Sequence, residues 1–431
     1  LIDASLEWMR SQGLKYATIG AVHTNYTGMH LYPDCGWIEV DRTIHWAMPL
    51  DPDAPTGQPP RKQRDEDPLT RPDGPGLDVS TFAMHKLNMR MDHKAELGRM
   101  PDGSIGGNPH ARENPAVADF MAQKDEIASA AEQLDIALYR LGPESQVQPS
   151  VPQGEIVPHL QWAESNVFPQ TVRDWWVYVP HQLDATEPAQ LMIFLDGHSY
   201  LDPEGQVRVA TVFDNLIASG DLKPTIGVFV TPGLRIGHPE VTDAPDDVAP
   251  SLLELGWSGR ADQRQRSFEY DSLDDLLPRF FLEDILPIVE AEYNVSPLAA
   301  DRAICGMSSG GIGAFNCAWH FPERFSRVVS HCGSFTNIRG GHNYPWIVRN
   351  TVPAKPIRRV WLQSGENDLN TAHGSWPLAN QQMALALQWA GYSHQFHLGK
   401  GVHSRRHGGM LFPGTLRWVW SDEDGVAAAR L

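Results

Sequence analysis

The feature of the sequence that most constrains the fold is the stretch GMSSGG at positions 306–311. An apolar run at 302–305 precedes it, and a segment predicted to be helical follows from Ile312 to His320. A strand that runs into G-x-S-x-G and then into a helix is the sequence form of a nucleophile elbow, in which glycines allow the sharp turn that exposes one serine hydroxyl. The sequence therefore predicts a strand–turn–helix unit with Ser308 as the candidate nucleophile.

Two serines stand in this turn. Ser308 fills the serine position of the motif, whereas a frame centred on Ser309 would put Met307 where a small residue is needed. We therefore expect Ser308 to contribute its hydroxyl and Ser309 to contribute its backbone N–H. The alternative is an ordinary Gly/Ser-rich turn, because G-x-S-x-G alone recurs by chance in long chains.

Length and charge narrow the class of protein. A chain of 431 residues is long enough for two or three domains, and 41% hydrophobic with 20% charged residues is typical of a globular protein. The net charge of -18 argues against nucleic acid or an anionic membrane as partner. No apolar run reaches the roughly eighteen residues that would span a membrane. The four cysteines lack metal-ligand spacing and are expected to be buried free thiols: Cys35, Cys305, Cys317 and Cys332.

Four regions are predicted from shifts in composition. They are a small α/β segment at 1–50, a Pro-rich linker at 51–85, a mainly helical connecting segment at 86–142 and a catalytic α/β domain at 150–425. The chain begins at Leu1 without a charged-then-apolar leader, so we expect a truncated or processed chain and assign no compartment. In the first region, the phrase LYPDCGWIEV at 31–40 resembles the C-terminal half of a GNAT-type acetyltransferase. The glycine-rich loop that holds acetyl-CoA in that family has no counterpart, so we expect a packing module and no transferase activity.

The connecting segment carries the signals of one amphipathic helix. Asn114-Pro115 offers an N-cap and a first-turn proline, apolar residues follow at helical spacing, and Gly142-Pro143 ends the run. We expect its apolar stripe to dock on the catalytic domain or on a second subunit, which would make a homo-oligomer.

From about residue 153, strand patterns alternate with helix patterns. Strands are predicted at 155–161, 172–179, 191–195, 225–230, 302–305, 328–331, 358–363 and 394–398. Helices are predicted at 212–219, 276–292, after Ser308 and at 378–390. Near-continuous apolar strands with crossover helices predict a mostly parallel sheet covered on both faces, with the first two strands as an antiparallel edge. This is the α/β-hydrolase order.

In that fold the acid and the histidine follow the serine along the chain. The loop after the strand at 358–363 offers two carboxylates, of which we choose Asp368 as the acid with Glu366 second. The loop after the last strand contains His403 among glycines that suit a bend, and His407 is the second choice for the base. A metal cluster of these histidines with His394 and His397 is disfavoured, because strand alternation separates the latter two. We expect no metal and no cofactor.

Two N–H donors must face the oxyanion of a tetrahedral intermediate. One is expected from Ser309. The other is expected from His198 in the loop LDGHS at 195–199, where Gly197 permits close approach.

The region from about 153 to 420 resembles the enterochelin (enterobactin) esterase and esterase D group of α/β-hydrolases, which also contains feruloyl and acetyl-xylan esterases of carbohydrate esterase family one. The matching stretches are 173–180, 195–197, 281–287, 306–311, 322–325, 333–335, and Gly365 with Asp368. The resemblance implies serine esterase chemistry, and its glycine-rich turn around the histidine favours His403 over His407. The first 142 residues do not resemble the additional N-terminal domain of siderophore esterases.

The resulting hypothesis is a serine carboxylic ester hydrolase acting on a small-molecule or polysaccharide-linked ester. Aromatic residues on predicted rim loops favour an aryl or hydrophobic acyl group, such as a feruloyl ester, although they could equally pack the loops: Trp257, Phe268, Tyr270, Trp346 and Trp376. The alternatives are an acyltransferase to an alcohol that uses the same triad, a siderophore-ester hydrolase, and a non-catalytic binding protein.

Overall fold

The computed structural model describes residues 128–243 and 248–421 in full, together with the backbone of three short strands nearer the N-terminus. The chain divides into two compact units, residues 1–118 and 119–431. In the first unit, β1 (Tyr16–Gly20), β2 (Ile38–Glu39) and β3 (His45–Pro49) form an antiparallel sheet in the order β1-β3-β2. The remainder of 1–50, with most of its acetyltransferase resemblance, and the linker at 51–85 lie outside the described residues.

The second unit alternates strands and helices. Its strands are β4 (Glu155–Trp162), β5 (Thr171–Val179), β6 (Gln190–Leu195), β7 (Thr225–Val230), β8 (Leu234–Arg235), β9 (Arg302–Met307), β10 (Arg327–His331), β11 (Arg359–Gly365), β12 (Asn370–Thr371), β13 (Gly374–Ser375) and β14 (His394–Gly399). Its helices are α1 (128–138), α2 (Gly197–Leu201), α3 (Val209–Ser219), α4 (Pro250–Glu254), α5 (Gln263–Asp271), α6 (Leu276–Arg279), α7 (Leu286–Glu292), α8 (Ser309–His320), α9 (Tyr344–Asn350), α10 (Trp376–Trp389) and α11 (Arg406–Trp420). No helix within the described ranges is both long and apolar enough to cross a bilayer.

The central sheet has the order β14-β11-β10-β9-β6-β7-β5-β4, with β8 added beside β5. All neighbours from β14 to β7 are parallel, whereas β5 is antiparallel to β7 and to β4. The predicted mostly parallel sheet with an antiparallel edge is therefore confirmed. The connection from β4 to β5 is too short for the crossover that a parallel pair requires.

The sheet separates two apolar clusters. Along β6, Leu191, Ile193 and Leu195 pack into one cluster, while Met192 and Phe194 pack into the other. Successive side chains of a strand point to opposite faces, so a continuous apolar run can serve both sides. A rigid, fully buried strand of this kind fixes the positions of the loops at its carboxyl end.

The structure differs from the prediction in several helices, among them the one predicted at 276–292 and α11. The helix predicted at 276–292 is interrupted by a π-helix at Phe280–Ile285, which precedes Pro287, a residue without the N–H of an α-helical bond. Helix α11 was not predicted, because Pro413 and three glycines reduce its helical signal. Close packing requires glycine at position 409, because a Cβ there would lie 1.8 Å from the Gln206 carbonyl oxygen.

Candidate active site

The turn between β9 and α8 forms a strained elbow centred on Ser308. Its φ of 60° and ψ of -120° lie in a region that residues with a side chain rarely adopt. Hydrogen bonds hold this conformation: Ser308 N–H donates to the His331 carbonyl at 2.9 Å, and the Ser308 carbonyl accepts from Ser334 N–H at 2.9 Å. The backbone is therefore fixed on both sides of the serine.

The glycines of the elbow provide space, and the left-handed φ belongs to the serine itself. A Cβ on Gly306 would lie 2.3 Å from the Gly310 carbonyl oxygen, and one on Gly311 would lie 2.7 Å from Ser330 Oγ. Neither glycine has a positive φ. The expectation that the glycines make the turn is corrected accordingly, since they allow the strand and the helix to approach each other.

His403 and Asp368 form a close pair. The distance from His403 Nδ1 to Asp368 Oδ1 is 2.5 Å, and the carboxylate also accepts from Leu369 N–H at 2.6 Å and from Ser364 Oγ at 3.1 Å. Asp368 follows β11 and His403 follows β14, which are neighbours in the sheet. The two side chains thus meet at the carboxyl edge of the sheet, the same edge at which β9 ends.

The second choices for the acid and the base lie elsewhere. Glu366 is exposed and pairs with Lys400 Nζ at 2.5 Å. His407 Nδ1 is 3.1 Å from Gln363 Nε2, and burial lowers the pKa of His407 to about 4. The structure brings His403, and not His407, to Asp368.

A tryptophan and a serine connect Ser308 with the surroundings of His403. Ser308 Oγ lies 3.3 Å from Ser334 Oγ, which also accepts from Trp376 Nε1 at 3.2 Å. The Trp376 ring packs edge-on to the His403 ring with centroids 6.0 Å apart. Sequence reasoning missed Ser334 as a site residue, although its position directly after β10 and next to Gly333 was a signal that could have found it.

The loop after β6 lies against the elbow. A Cβ on Gly310 would be 3.2 Å from Leu195 Cβ and 3.5 Å from Asp196 Oδ2. Asp196 has a left-handed φ of 54°, and a Cβ on Gly197 would lie 2.3 Å from the backbone of Phe229. This loop carries His198, the second predicted oxyanion donor, on the first turn of α2.

A buried ion pair fixes that loop. Asp196 accepts from Arg266 Nε at 2.9 Å and from Arg266 Nη2 at 2.6 Å, and Arg405 lies 3.7 Å away. Burial opposes ionisation of the Asp196 carboxyl, but the two guanidinium charges prevail and lower its pKa to about 2. Burial also lowers the pKa of His198 to about 4, so its ring is neutral near pH 7.

A cavity of about 320 Å³ opens beside this loop. Residues around it include Asp196, His198, Thr231, Trp257, Ser258 and Arg405. The His198 and Trp257 rings stack with centroids 4.1 Å apart and form an aromatic wall. Ser308, Asp368 and His403 do not line it, so the cavity adjoins the loop of Asp196 and His198 and not the His403–Asp368 pair.

The other aromatic candidates have different surroundings. Tyr270 was predicted on a rim loop, but it lies in α5, is 2% exposed, and its hydroxyl contacts the backbone of Asp196 and Val230. Trp376 is likewise fully buried, at the first turn of α10. Both placements on the rim were wrong, because both rings are buried: Tyr270 contacts the backbone of Asp196, and Trp376 donates to Ser334 Oγ. Trp346 lies on α9 and is 68% exposed, and Phe268 is partly exposed on α5.

Three of the cysteines are buried free thiols, as predicted: Cys305, Cys317 and Cys332. Cys35 lies outside the described residues. In the described part of the chain, the potential ligand atoms of Cys332, Asp368 and His403 lie within 4.8 Å of one another.

His397, one of the histidines considered for a metal cluster, stacks on Trp361 with centroids 4.2 Å apart.

Comparison with known proteins gives a family match. The model of a family described as "Esterase: Putative esterase" matches residues 168–418, more than half of the chain. This region contains Ser308, Asp368 and His403, and it begins after α1.

One curated relative is the iron(III) enterobactin esterase of Dickeya dadantii (strain 3937), which is 25% identical over 335 residues. The match covers 70% of this chain and 65% of the relative, so the chain spans less than two thirds of that protein's length.

Solved structures give similar matches. Enterochelin esterase from Shigella flexneri has 20% identity and a TM-score of 0.47, with 64% of this chain and 60% of that chain covered. A CE1 ferulic acid esterase from the anaerobic fungus Anaeromyces mucronatus has 15% identity and a TM-score of 0.46, with 65% and 98% covered.

Proposed function

This chain belongs to the Esterase family, and we propose that it is a serine carboxylic ester hydrolase that works through Ser308, His403 and Asp368. The observation that carries the proposal is the 2.5 Å contact between His403 Nδ1 and Asp368 Oδ1, a pair that Trp376 and Ser334 connect to the strained elbow of Ser308. Strain of this kind persists where surrounding structure enforces it, and it is common at catalytic residues. An acid, a base and a nucleophile at the ends of parallel strands support acyl transfer chemistry.

The proposed mechanism starts with the tautomer of His403. The Asp368 carboxylate accepts a hydrogen bond from His403 Nδ1–H, which keeps that proton on Nδ1 and leaves Nε2 unprotonated as the base. Ser308 Oγ attacks the acyl carbon as Nε2 takes its proton, and the resulting imidazolium then protonates the leaving alcohol. Water resolves the acyl-enzyme by the same route, with His403 again acting as base and then as acid.

Two backbone donors are proposed for the oxyanion. Ser309 N–H is at the first turn of α8, where the N–H groups have no acceptor within the helix and the helix dipole favours negative charge. His198 N–H is on the loop that packs against Gly310. Donors fixed in this way need no rearrangement as charge develops on the oxygen.

Replacement of the nucleophile is the decisive test. We expect Ser308→Ala to lower kcat on p-nitrophenyl acetate and methyl ferulate by at least about 10³-fold, as triad deletions do. Ser309→Ala removes the neighbouring hydroxyl but keeps the N–H, so we expect a loss of less than about tenfold. Full activity of Ser308→Ala, with no labelling of that position by a fluorophosphonate in wild type, would refute the proposal.

The proposed substrate is an ester with an aryl or hydrophobic acyl group, free or linked to a polysaccharide. The support is the His198–Trp257 wall of the cavity beside the oxyanion loop. We expect Trp257→Ala to raise KM for methyl ferulate at least about fivefold, from the contact area an aromatic ring supplies, and to leave KM for the small p-nitrophenyl acetate nearly unchanged. An equal rise for both esters would contradict this assignment.

A siderophore ester is the second candidate. It is favoured by the 25% identity to an iron(III) enterobactin esterase. Comparison of kcat/KM for enterobactin and for methyl ferulate with the full chain separates the two substrate classes, and loss of both in Ser308→Ala assigns them to one site.

A further inference from the structure

A carboxylate on α1 contacts the loop that carries His403. Asp135 is fully buried, and its carboxylate accepts from Ser404 Oγ at 2.7 Å, from Arg406 Nη1 at 3.2 Å and from Val402 N–H at 3.3 Å. These three donors flank His403 on both sides in the sequence. One side chain therefore holds the segments immediately before and after the proposed base.

Tyr139 adds a second contact just after the same helix. Its hydroxyl accepts from Lys400 N–H at 2.7 Å, and its ring stacks on His407 with centroids 4.3 Å apart. The contacts of Asp135 and Tyr139 thus extend from residue 400 to residue 407, the whole connection between β14 and the start of α11.

The glycines of the His403 loop are shaped by these contacts. A Cβ on Gly401 would lie 2.3 Å from Asp135 Oδ1 and 3.0 Å from Tyr139 Cε2, while one on Gly399 would lie 2.4 Å from the Tyr139 hydroxyl. Neither glycine has a positive φ. The sequence suggested that these glycines are needed for a bend. The structure shows that they are needed because a side chain at either position would collide with Asp135 or Tyr139.

From this geometry we propose that Asp135 is a positioning residue for His403, and that α1 is a working part of the active site although it precedes the region matched by the Esterase family. The proposal rests on the proposed function, since it takes His403 as the base. Asp135 touches no reacting atom. It acts by fixing the backbone on both sides of His403, and thereby the direction in which Nε2 faces Ser308.

The loop that carries His403 requires a contact that restrains its backbone. The His403 ring contacts Asp368 at Nδ1 and the Trp376 ring at its edge, but neither contact fixes the backbone of the loop that carries it. Displacement of a catalytic group by about 1 Å can cost on the order of 10²-fold in rate. A buried carboxylate with three donors restricts that movement, and charge-assisted bonds are the stronger kind.

Asp135→Asn and Asp135→Ala test the proposal in the full chain. We expect kcat on p-nitrophenyl acetate to fall about 10- to 100-fold, with KM changed less than about threefold, and the fluorophosphonate labelling rate of Ser308 to fall in parallel. Asp284→Asn is the matched control: Asp284 is also a buried carboxylate that anchors a chain segment, through Ser165 Oγ at 2.6 Å and Val167 N–H at 3.1 Å, far along the chain from His403. If Asp284→Asn and Asp135→Asn lower the thermal midpoint equally and lower kcat equally, the proposal is wrong.

A milder substitution keeps the test valid if Asp135 variants fail to fold. Ser404→Ala removes one donor and leaves the carboxylate with Arg406 and Val402 N–H, so we expect a loss in kcat of about three- to tenfold, as for one hydrogen bond. In the double variant with Asp135→Asn, the loss should not exceed that of Asp135→Asn alone, because both act through one contact. Wild-type kcat in Ser404→Ala, or fully multiplicative losses in the double variant, would overturn the proposal.

Failure of this inference and failure of the proposed function give different results. If Ser308→Ala is inactive while the Asp135 and Ser404 variants keep wild-type kcat, the triad stands and the positioning role falls. If Ser308→Ala keeps its activity, the triad itself falls.

Discussion

The strain at the elbow is carried by one residue, Ser308, and the glycines around it relieve crowding. The order of serine, acid and histidine along the chain was sufficient to predict Ser308, Asp368 and His403 as the candidates, because each follows a strand of a parallel sheet. The roles of Gly306 and Gly401 could not be predicted. A glycine required for close approach and one required for a positive φ are identical in sequence, and only the neighbours in space distinguish them.

Gly306→Ala should therefore destabilise the protein. The added methyl group would meet backbone atoms of Gly310 at 2.3 Å, which cannot move aside as the tip of a side chain can, so we expect a loss of about 1–3 kcal/mol or more in the free energy of unfolding. Gly414→Ala, in α11 with nothing within 4 Å, should instead stabilise by about 1 kcal/mol. Urea denaturation of both variants measures the difference, and a stable Gly306→Ala protein would contradict the elbow geometry.

At the scale of elements, the loop of Asp196 and His198, for which we propose an oxyanion role, depends on a helix that sequence patterns did not predict. Helix α5 supplies Arg266 to Asp196 and buries Gln265, Glu269 and Asp271. Its buried face is polar, since Glu269 pairs with Arg173 at 2.9 Å inside the protein. Apolar periodicity is the main signal of a helix in sequence, and a helix that packs through charged pairs lacks it.

Arg266→Met should destabilise strongly. It leaves the Asp196 carboxylate buried without its main partner, and removal of one member of a buried pair costs about 3–5 kcal/mol. The pKa of Asp196, now lowered to about 2, should rise. Arg279→Met is the control, because the Arg279–Glu283 pair is exposed and solvent screening leaves such pairs little effect on stability. Chemical denaturation at pH 7 gives both values, and similar losses for the two variants would argue against the ion pair as the support of the loop.

At the scale of the whole molecule, the parallel sheet could be predicted because buried strands alternate with helices over the region 153–420. The family could be predicted only from the resemblance carried by stretches such as 306–311 and 322–325. The link between α1 and the His403 loop could not, because it joins residues 267 to 271 positions apart through single polar contacts. The predicted apolar stripe of the 86–142 segment indicated docking on the catalytic domain or on a second subunit. In the described part of that segment, Leu134, Ile136 and Leu138 are exposed, and Asp135 and Tyr139 make the contacts with the His403 loop.

The buried histidines should make stability depend on pH. Burial lowers the pKa of His331 to about 3 and those of His198 and His407 to about 4, so they remain neutral in the folded protein while the unfolded chain takes up protons below about pH 6.5. Their contribution is complete above that pH and is lost as pH falls towards 4, at about 1.4 kcal/mol per pH unit for each histidine. Urea denaturation between pH 7 and pH 4.5 measures the slope. His407→Gln should reduce this slope by about the contribution of one histidine. An unchanged slope would contradict the lowered pKa of His407.

The contacts of Asp135 also bear on the order in which the protein folds during synthesis. Asp135 leaves the ribosome about 270 residues before Ser404 and Arg406, an interval of roughly 15–55 s at common rates of synthesis. During that time its carboxylate has none of the partners that surround it in the finished protein. The nascent chain can complete its central strands while the loop of His403 is still unmade, so esterase activity should appear only after the segment from His403 through α11 has left the ribosome.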